Sequence, residues 1–120
     1  MENTFNRNVL RNRSEFAVNF TNNYFPEVIK EVEDAIKENK VVVVGMAYNP
    51  HVKEIRNNLT NAGIPFKYLE YGSYFSGWDK RLALKMWSGF PTFPQVFRNG
   101  TLIGGADTAT QEIKDGKFNE

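Results

Sequence analysis

The sequence predicts an α/β protein in three layers, with a four-stranded mixed sheet held between helices. Three observations carry this prediction. Val41-Val42-Val43-Val44 is an unbroken β-branched run, the composition of a strand covered on both faces. Apolar residues at helical spacing stand on either side of it, and a second strand follows at the interval of a right-handed βαβ unit with parallel strands. Further on, Gln95–Arg98 and Thr101–Ile103 flank Asn99-Gly100, the strongest short hairpin signal, which adds antiparallel pairing and makes the sheet mixed.

Each element has its own local reason. Residues 1–25 are rich in Asn and Arg with scattered apolar positions (Val9, Leu10, Phe16, Val18, Phe20) and read as an N-terminal extension lying on a single domain of 26–120. A helix is expected over Pro26–Glu38. Pro26 suits the first helical position, where a missing N–H costs nothing. Val28, Ile29, Val32, Ala35 and Ile36 make one face at helical spacing. After the valine strand, Gly45 to Tyr48 form a loop. Asn49 is the expected N-cap of the next helix, with Pro50 at its first position. Val52, Ile55, Leu59 and Ala62 form the buried stripe of that helix, and Gly63 stops it. Ile64 to Leu69 reads as the second strand.

An aromatic loop between glycines, Tyr71-Gly72-Ser73-Tyr74-Phe75-Ser76-Gly77, leads to a helix over Trp78–Ser88. Its apolar content is Leu82, Leu84, Met86 and Trp87, and Lys80, Arg81 and Lys85 read as a solvated charged face. The hairpin follows, and Asp107 is expected to cap a last helix ending near Gly116. The order α-β-α-β-α-β-β-α, with helices on both faces of the sheet, is the thioredoxin-like architecture.

Composition excludes several functions. With 15 basic and 14 acidic side chains among 120 residues, no charge excess draws the chain to nucleic acid or an anionic membrane. No apolar run approaches the roughly 20 residues that span a bilayer, and the first residues do not form a signal peptide; a cytoplasmic location is expected. Zero cysteines exclude disulfides, thiolate metal sites and thiol catalysis. One histidine, His51, cannot build a histidine-rich metal site.

Asn49-Pro50-His51-Val52, Thr92-Phe93-Pro94 and Gly104-Gly105-Ala106-Asp107, taken in that order within roughly Pro26 to Phe118, together resemble the motifs of the glutaredoxin family. Thr92-Phe93-Pro94 resembles the family's Thr-x-Pro, whose proline is cis. Gly104-Gly105-Ala106-Asp107 resembles its Gly-Gly-x-Asp. Asn49-Pro50-His51-Val52 stands at the strand-to-helix turn where the family carries Cys-Pro-Tyr-Cys. The run Pro91-Thr92-Phe93-Pro94-Gln95-Val96-Phe97 is particularly close to the monothiol branch. The resemblance implies a glutathione groove built by Phe93, Pro94, Gly105, Asp107 and Thr108. Phe93 would offer its backbone to an extended ligand, and the helix-opening amides of Asp107 and Thr108 would hold a carboxylate.

The departures from the family are as informative. The nucleophile position holds Asn49 and the resolving position Val52. An amide cannot attack a disulfide, and valine has no polar chemistry. Enzymatic thiol–disulfide exchange and iron–sulfur ligation by the family's route are therefore not expected, and no cofactor is required. Met46 stands where the family usually has a lysine that pairs with a glutathione carboxylate, and losing such a contact typically costs about 1.5–3 kcal/mol. Two expectations follow. In one, the chain is a glutaredoxin-like protein without redox activity that binds glutathione, a γ-glutamyl compound or an extended peptide in the proline groove. In the other, it is a protein-interaction module working through the aromatic loop or the N-terminal extension.

Overall fold

The computed structural model describes residues 10–119. They form, in order, α1 (Glu15–Asn22), α2 (Pro26–Glu38), β1 (Val41–Gly45), α3 (Pro50–Asn61), β2 (Lys67–Glu70), α4 (Trp78–Ser88), β3 (Gln95–Arg98), β4 (Thr101–Gly104) and α5 (Ala106–Lys114), closed by a 3₁₀ turn at Lys117–Asn119. The sheet order is β2-β1-β3-β4. β1 pairs with β2 in parallel and with β3 antiparallel, and β3 with β4 antiparallel.

The valine run explains the layering. Val42 and Val44 point into one apolar cluster with Val28, Val32, Ala35 and Leu84 from α2 and α4. Val41 and Val43 point into the opposite cluster with Ile55, Leu59, Ala106 and Ala109 from α3 and α5. Successive strand residues face opposite sides, so only a strand covered on both faces can be valine throughout. All four are at most 1% exposed, and burying each contributes about 1.5–3 kcal/mol. β3 repeats the device, with Val96 on the α3/α5 side and Phe97 on the α2/α4 side.

The hairpin turn is formed by Asn99 (φ 53) and Gly100 (φ 79), the pair of positive φ values that a type I′ connection requires. The Phe93–Pro94 peptide bond before β3 is cis.

Several local expectations are corrected. The second strand is Lys67–Glu70, not 64–69. Gly63 takes φ 73 and the Ile64 N–H donates to the Leu59 carbonyl at 3.0 Å, while Pro65 has no N–H for a ladder. Ile64 and Phe66 still pack on the α3/α5 cluster, but from a loop. Ala62 is exposed, because it lies one residue past the end of α3 as its C-cap. In α4, Leu82 and Met86 face outward, and the buried positions are Arg81, Ala83 and Leu84. Arg81 is thus not part of a solvated face. The cap of α5 is Gly105 in an extended conformation, and Asp107 sits in the first turn, exposed and without a capping bond.

The extension contains a helix that its scattered apolar pattern did not predict. α1 begins at Ser14, whose Oγ accepts from the Ala17 N–H at 3.1 Å, and none of its residues is buried. Phe16, Phe20, Tyr24 and Phe25 form a run of ring contacts along it toward α2. Val9 lies outside the described residues.

Candidate functional site

Topology gathers the residues singled out in the sequence at one end of the sheet. β1 ends at Gly45, and α3 opens four residues later behind Asn49. β3 runs antiparallel to β1 and starts there, with Val44 opposite Gln95, so Phe93-Pro94 lies at the same end. β4 returns to it, with Val96 opposite Gly104, and delivers Gly105 and the start of α5.

Asn49 is the N-cap of α3. Its Oδ1 accepts the amide hydrogens of His51 at 2.9 Å and Val52 at 3.1 Å. Two of the four orphan donors at a helix start are satisfied by this one side chain. Val52 is 2% exposed and fills core space: a Cβ built on Gly45 would stand 2.8 Å from its Cγ1. Met46 is buried too. His51 is exposed and lies 4.0 Å from a Glu54 carboxylate oxygen through Nδ1.

Across the sheet end, Pro94 is buried and Phe93 half-buried, with the Lys85 ammonium 5.9 Å from the Phe93 ring centre. A Cβ on Gly105 would lie 3.5 Å from the Pro94 carbonyl oxygen, so these two backbones run side by side. Gly104 has φ 132, and a Cβ there would meet the Thr108 side chain at 3.0 Å; the close approach and the dihedral together require glycine. Ala109 donates to the Gly105 carbonyl as the first turn of α5 closes. The amides of Asp107 and Thr108 precede that bond and, as N-terminal helix amides, face outward without an intrahelical acceptor.

Two residues that hold this end together were not read from the sequence as doing so. Gln95 is fully buried, and its Nε2 donates to the Phe90 carbonyl at 3.0 Å, fixing the loop that leads to Phe93. Arg81 is 2% exposed. Its Nη1 donates to the Tyr71 and Ser76 carbonyls, both at 2.8 Å, and its guanidinium carbon is 4.7 Å from the Trp78 ring centre. The glycines at each end of the loop nearly touch: a Cβ on Gly72 would be 2.3 Å from the Ser76 carbonyl oxygen. The loop between them is therefore closed on itself and presents Phe75, 91% exposed, with Tyr74 and Trp78 beside it. Tyr71 points the other way, buried, its hydroxyl donating to Glu31. Burial, then that hydrogen bond, raises its pKa above the usual tyrosine value. A lone Arg among exposed charges, or a Gln at the head of a strand, carries no sequence signal for such roles.

No family model matches the chain. A glutaredoxin-like protein of Dictyostelium discoideum is 56% identical over 116 residues, covering 96% of this chain and 94% of the relative. The chain belongs to the glutaredoxin family. A solved wheat glutaredoxin superposes with a TM-score of 0.66 at 31% identity, covering 78% of this chain and 87% of that structure. A buckwheat glutaredoxin–glutathione complex shares the fold, with a TM-score of 0.64 at 21% identity over 89% of this chain and 91% of the other. Within this family the chain is a cysteine-free member. Among the described residues, no group of three or more His, Asp or Glu side chains is placed to hold a metal ion, and no helix is long and apolar enough to cross a membrane.

Proposed function

We propose that this cytoplasmic glutaredoxin-like protein binds but does not reduce. Its ligand is glutathione, a γ-glutamyl compound or an extended peptide, held along Phe93-Pro94 and the start of α5. The observation that carries this reading is the double capping bond of Asn49. At the position of the family's nucleophilic thiol, an amide oxygen occupies the two helix N–H groups that would otherwise face a thiolate. Together with buried Val52 and the absence of any cysteine, that arrangement has no electron pair suited to attack a disulfide sulfur.

The binding half of the reading rests on different residues. The Phe93 backbone precedes the cis bond at a sheet end, Gly105 leaves room beside Pro94, and the first amides of α5 favour an anion. Buried Met46 supplies no charge for the second carboxylate of glutathione. Affinity one to two decades below that of a lysine-bearing site is therefore expected.

The test is a titration of isotopically labelled protein with reduced glutathione, following backbone amides by NMR. Saturable shifts confined to the surroundings of Phe93 and Asp107 at low millimolar concentration are expected. Unmoved amides there refute the groove reading. In a glutathione-coupled mixed-disulfide assay the pure protein is expected to give no turnover.

A second reading draws on the closed aromatic loop. Phe75 and Trp78 are exposed while Arg81 holds the loop backbone in place, an arrangement suited to an interaction module. It gains if glutathione leaves the Phe93 and Asp107 amides unmoved.

A further inference from the structure

A groove of about 660 Å³ runs between α3 and β2, opening beside Asn49. Its floor is made by Phe66, from the loop before β2, and by Tyr68 and Glu70, alternate residues of β2 on one face of the sheet. Its wall is Asn49, Lys53 and Arg56, which recur at helical spacing on one side of α3. None of Phe93, Pro94, Gly105, Asp107 or Thr108 lines it.

The chemistry of the groove is specific. The Arg56 guanidinium carbon lies over the Tyr68 ring, 3.9 Å from its centre, and the residue as a whole is exposed. The Tyr68 hydroxyl donates to Glu70 at 3.0 Å, which engages the one carboxylate that lines the groove. Glu54, also on α3, is directed toward His51 and does not line it. Lys53 and Arg56 have no carboxylate partner among the described residues. Two cations one turn apart thus stand over an aromatic floor with a single, already engaged, negative charge.

We propose that this groove binds a small planar anion, an aromatic or heteroaromatic body carrying a phosphate, sulfonate or carboxylate group. The flat body stacks on the Arg56 guanidinium, and the anionic group meets Lys53 and Arg56 in charge-assisted contact. A drug-sized molecule fits the volume. The residues proposed to hold the anion, Lys53, Arg56 and Tyr68, are not those that hold glutathione in the reading above, although Met46 and Asn49 border this groove.

The full chain would be titrated with adenosine monophosphate, with anilinonaphthalene sulfonate and, as an uncharged control, with adenosine, following amide shifts. We expect at least one anion to saturate shifts at Arg56, Tyr68 and Glu70 below about 1 mM, with adenosine at least about tenfold weaker. Arg56→Gln and Lys53→Gln are each expected to weaken the anion about tenfold or more. Both side chains are exposed, and an unchanged urea midpoint shows that each variant is folded. The better-bound anion identifies the head group. The proposal is overturned if neither anion saturates, if adenosine binds as well as its monophosphate, if both variants bind unchanged, or if the shifts map away from Arg56, Tyr68 and Glu70. Glutathione shifts at Phe93 and Asp107 are scored separately, so the two sites can fail separately.

Discussion

Asn49→Cys places a thiol where Asn49 now caps α3, and the structure fixes what should follow. The amide oxygen that accepts from His51 and Val52 is lost, and a neutral thiol is a poor acceptor, so the variant should lose about 1 kcal/mol at pH 6. The same two amides favour a thiolate, and cysteines at helix N-termini titrate well below the ordinary value of about 8.5. A pKa near ~7 corresponds to about 2 kcal/mol of preference for the charged form. At pH 7.4 the thiolate fraction would rise from roughly 7% to roughly 70%. The sign of the linkage is definite. A folded-state pKa below the unfolded one adds stability that is fully present above pH ~8.5 and lost as pH falls through ~7. The variant should therefore be less stable than the parent at pH 6 and equal or more stable at pH 9.5. Thiolate absorbance at 240 nm against pH gives the pKa directly, and urea unfolding at the two pH values gives the stability. A thiol titrating at 8.5 with the same deficit at both pH values would refute the account of Asn49 as occupant of a thiolate site.

Two further outcomes are expected. Arg81→Ala should cost about 2–4 kcal/mol in urea unfolding, because the Tyr71 and Ser76 carbonyls lose their donor, and amide exchange should rise in the 71–77 loop. If it instead costs under about 0.5 kcal/mol, like an ordinary surface change, the buried guanidinium is not what closes that loop. For pH, the folded pKa values of Tyr68 and Tyr71 are raised, by burial first and then by hydrogen bonds to Glu70 and Glu31. Their contribution is complete below the unfolded value of about 10 and declines as pH rises above it. The urea midpoint should fall above pH 10, and Tyr71→Phe should flatten that fall; an unaltered slope in the variant would show that Tyr71 is not responsible.

Much of the fold was legible in local chemistry. The bounds of α2 and α4 follow from Pro26 and from the glycines at 77 and 89, and the hairpin from Asn99-Gly100. Elements marked by a cap, a proline or a turn pair are decided within a few residues of chain. Elsewhere the sequence pattern misled. The β2 boundary depends on a bond from Ile64 back to Leu59, and the fate of Leu82, Met86 and Arg81 on which face of α4 meets the sheet. The N-terminal helix rests on a Ser14 cap and local ring contacts that the scattered apolar pattern did not reveal.

For the site, the sequence alone determined that the chain has a proline bend, a double glycine, an Asn-Pro helix start and no thiol, because residue identity is enough to exclude chemistry. Only the tertiary structure decided that these segments meet at one end of the sheet, since that depends on the antiparallel register of β1, β3 and β4. It also decided that Arg81 is structural and that Lys53 and Arg56 share a groove with Tyr68. A charge has no meaning along the chain until the fold sets what lies opposite it and how much water remains around it.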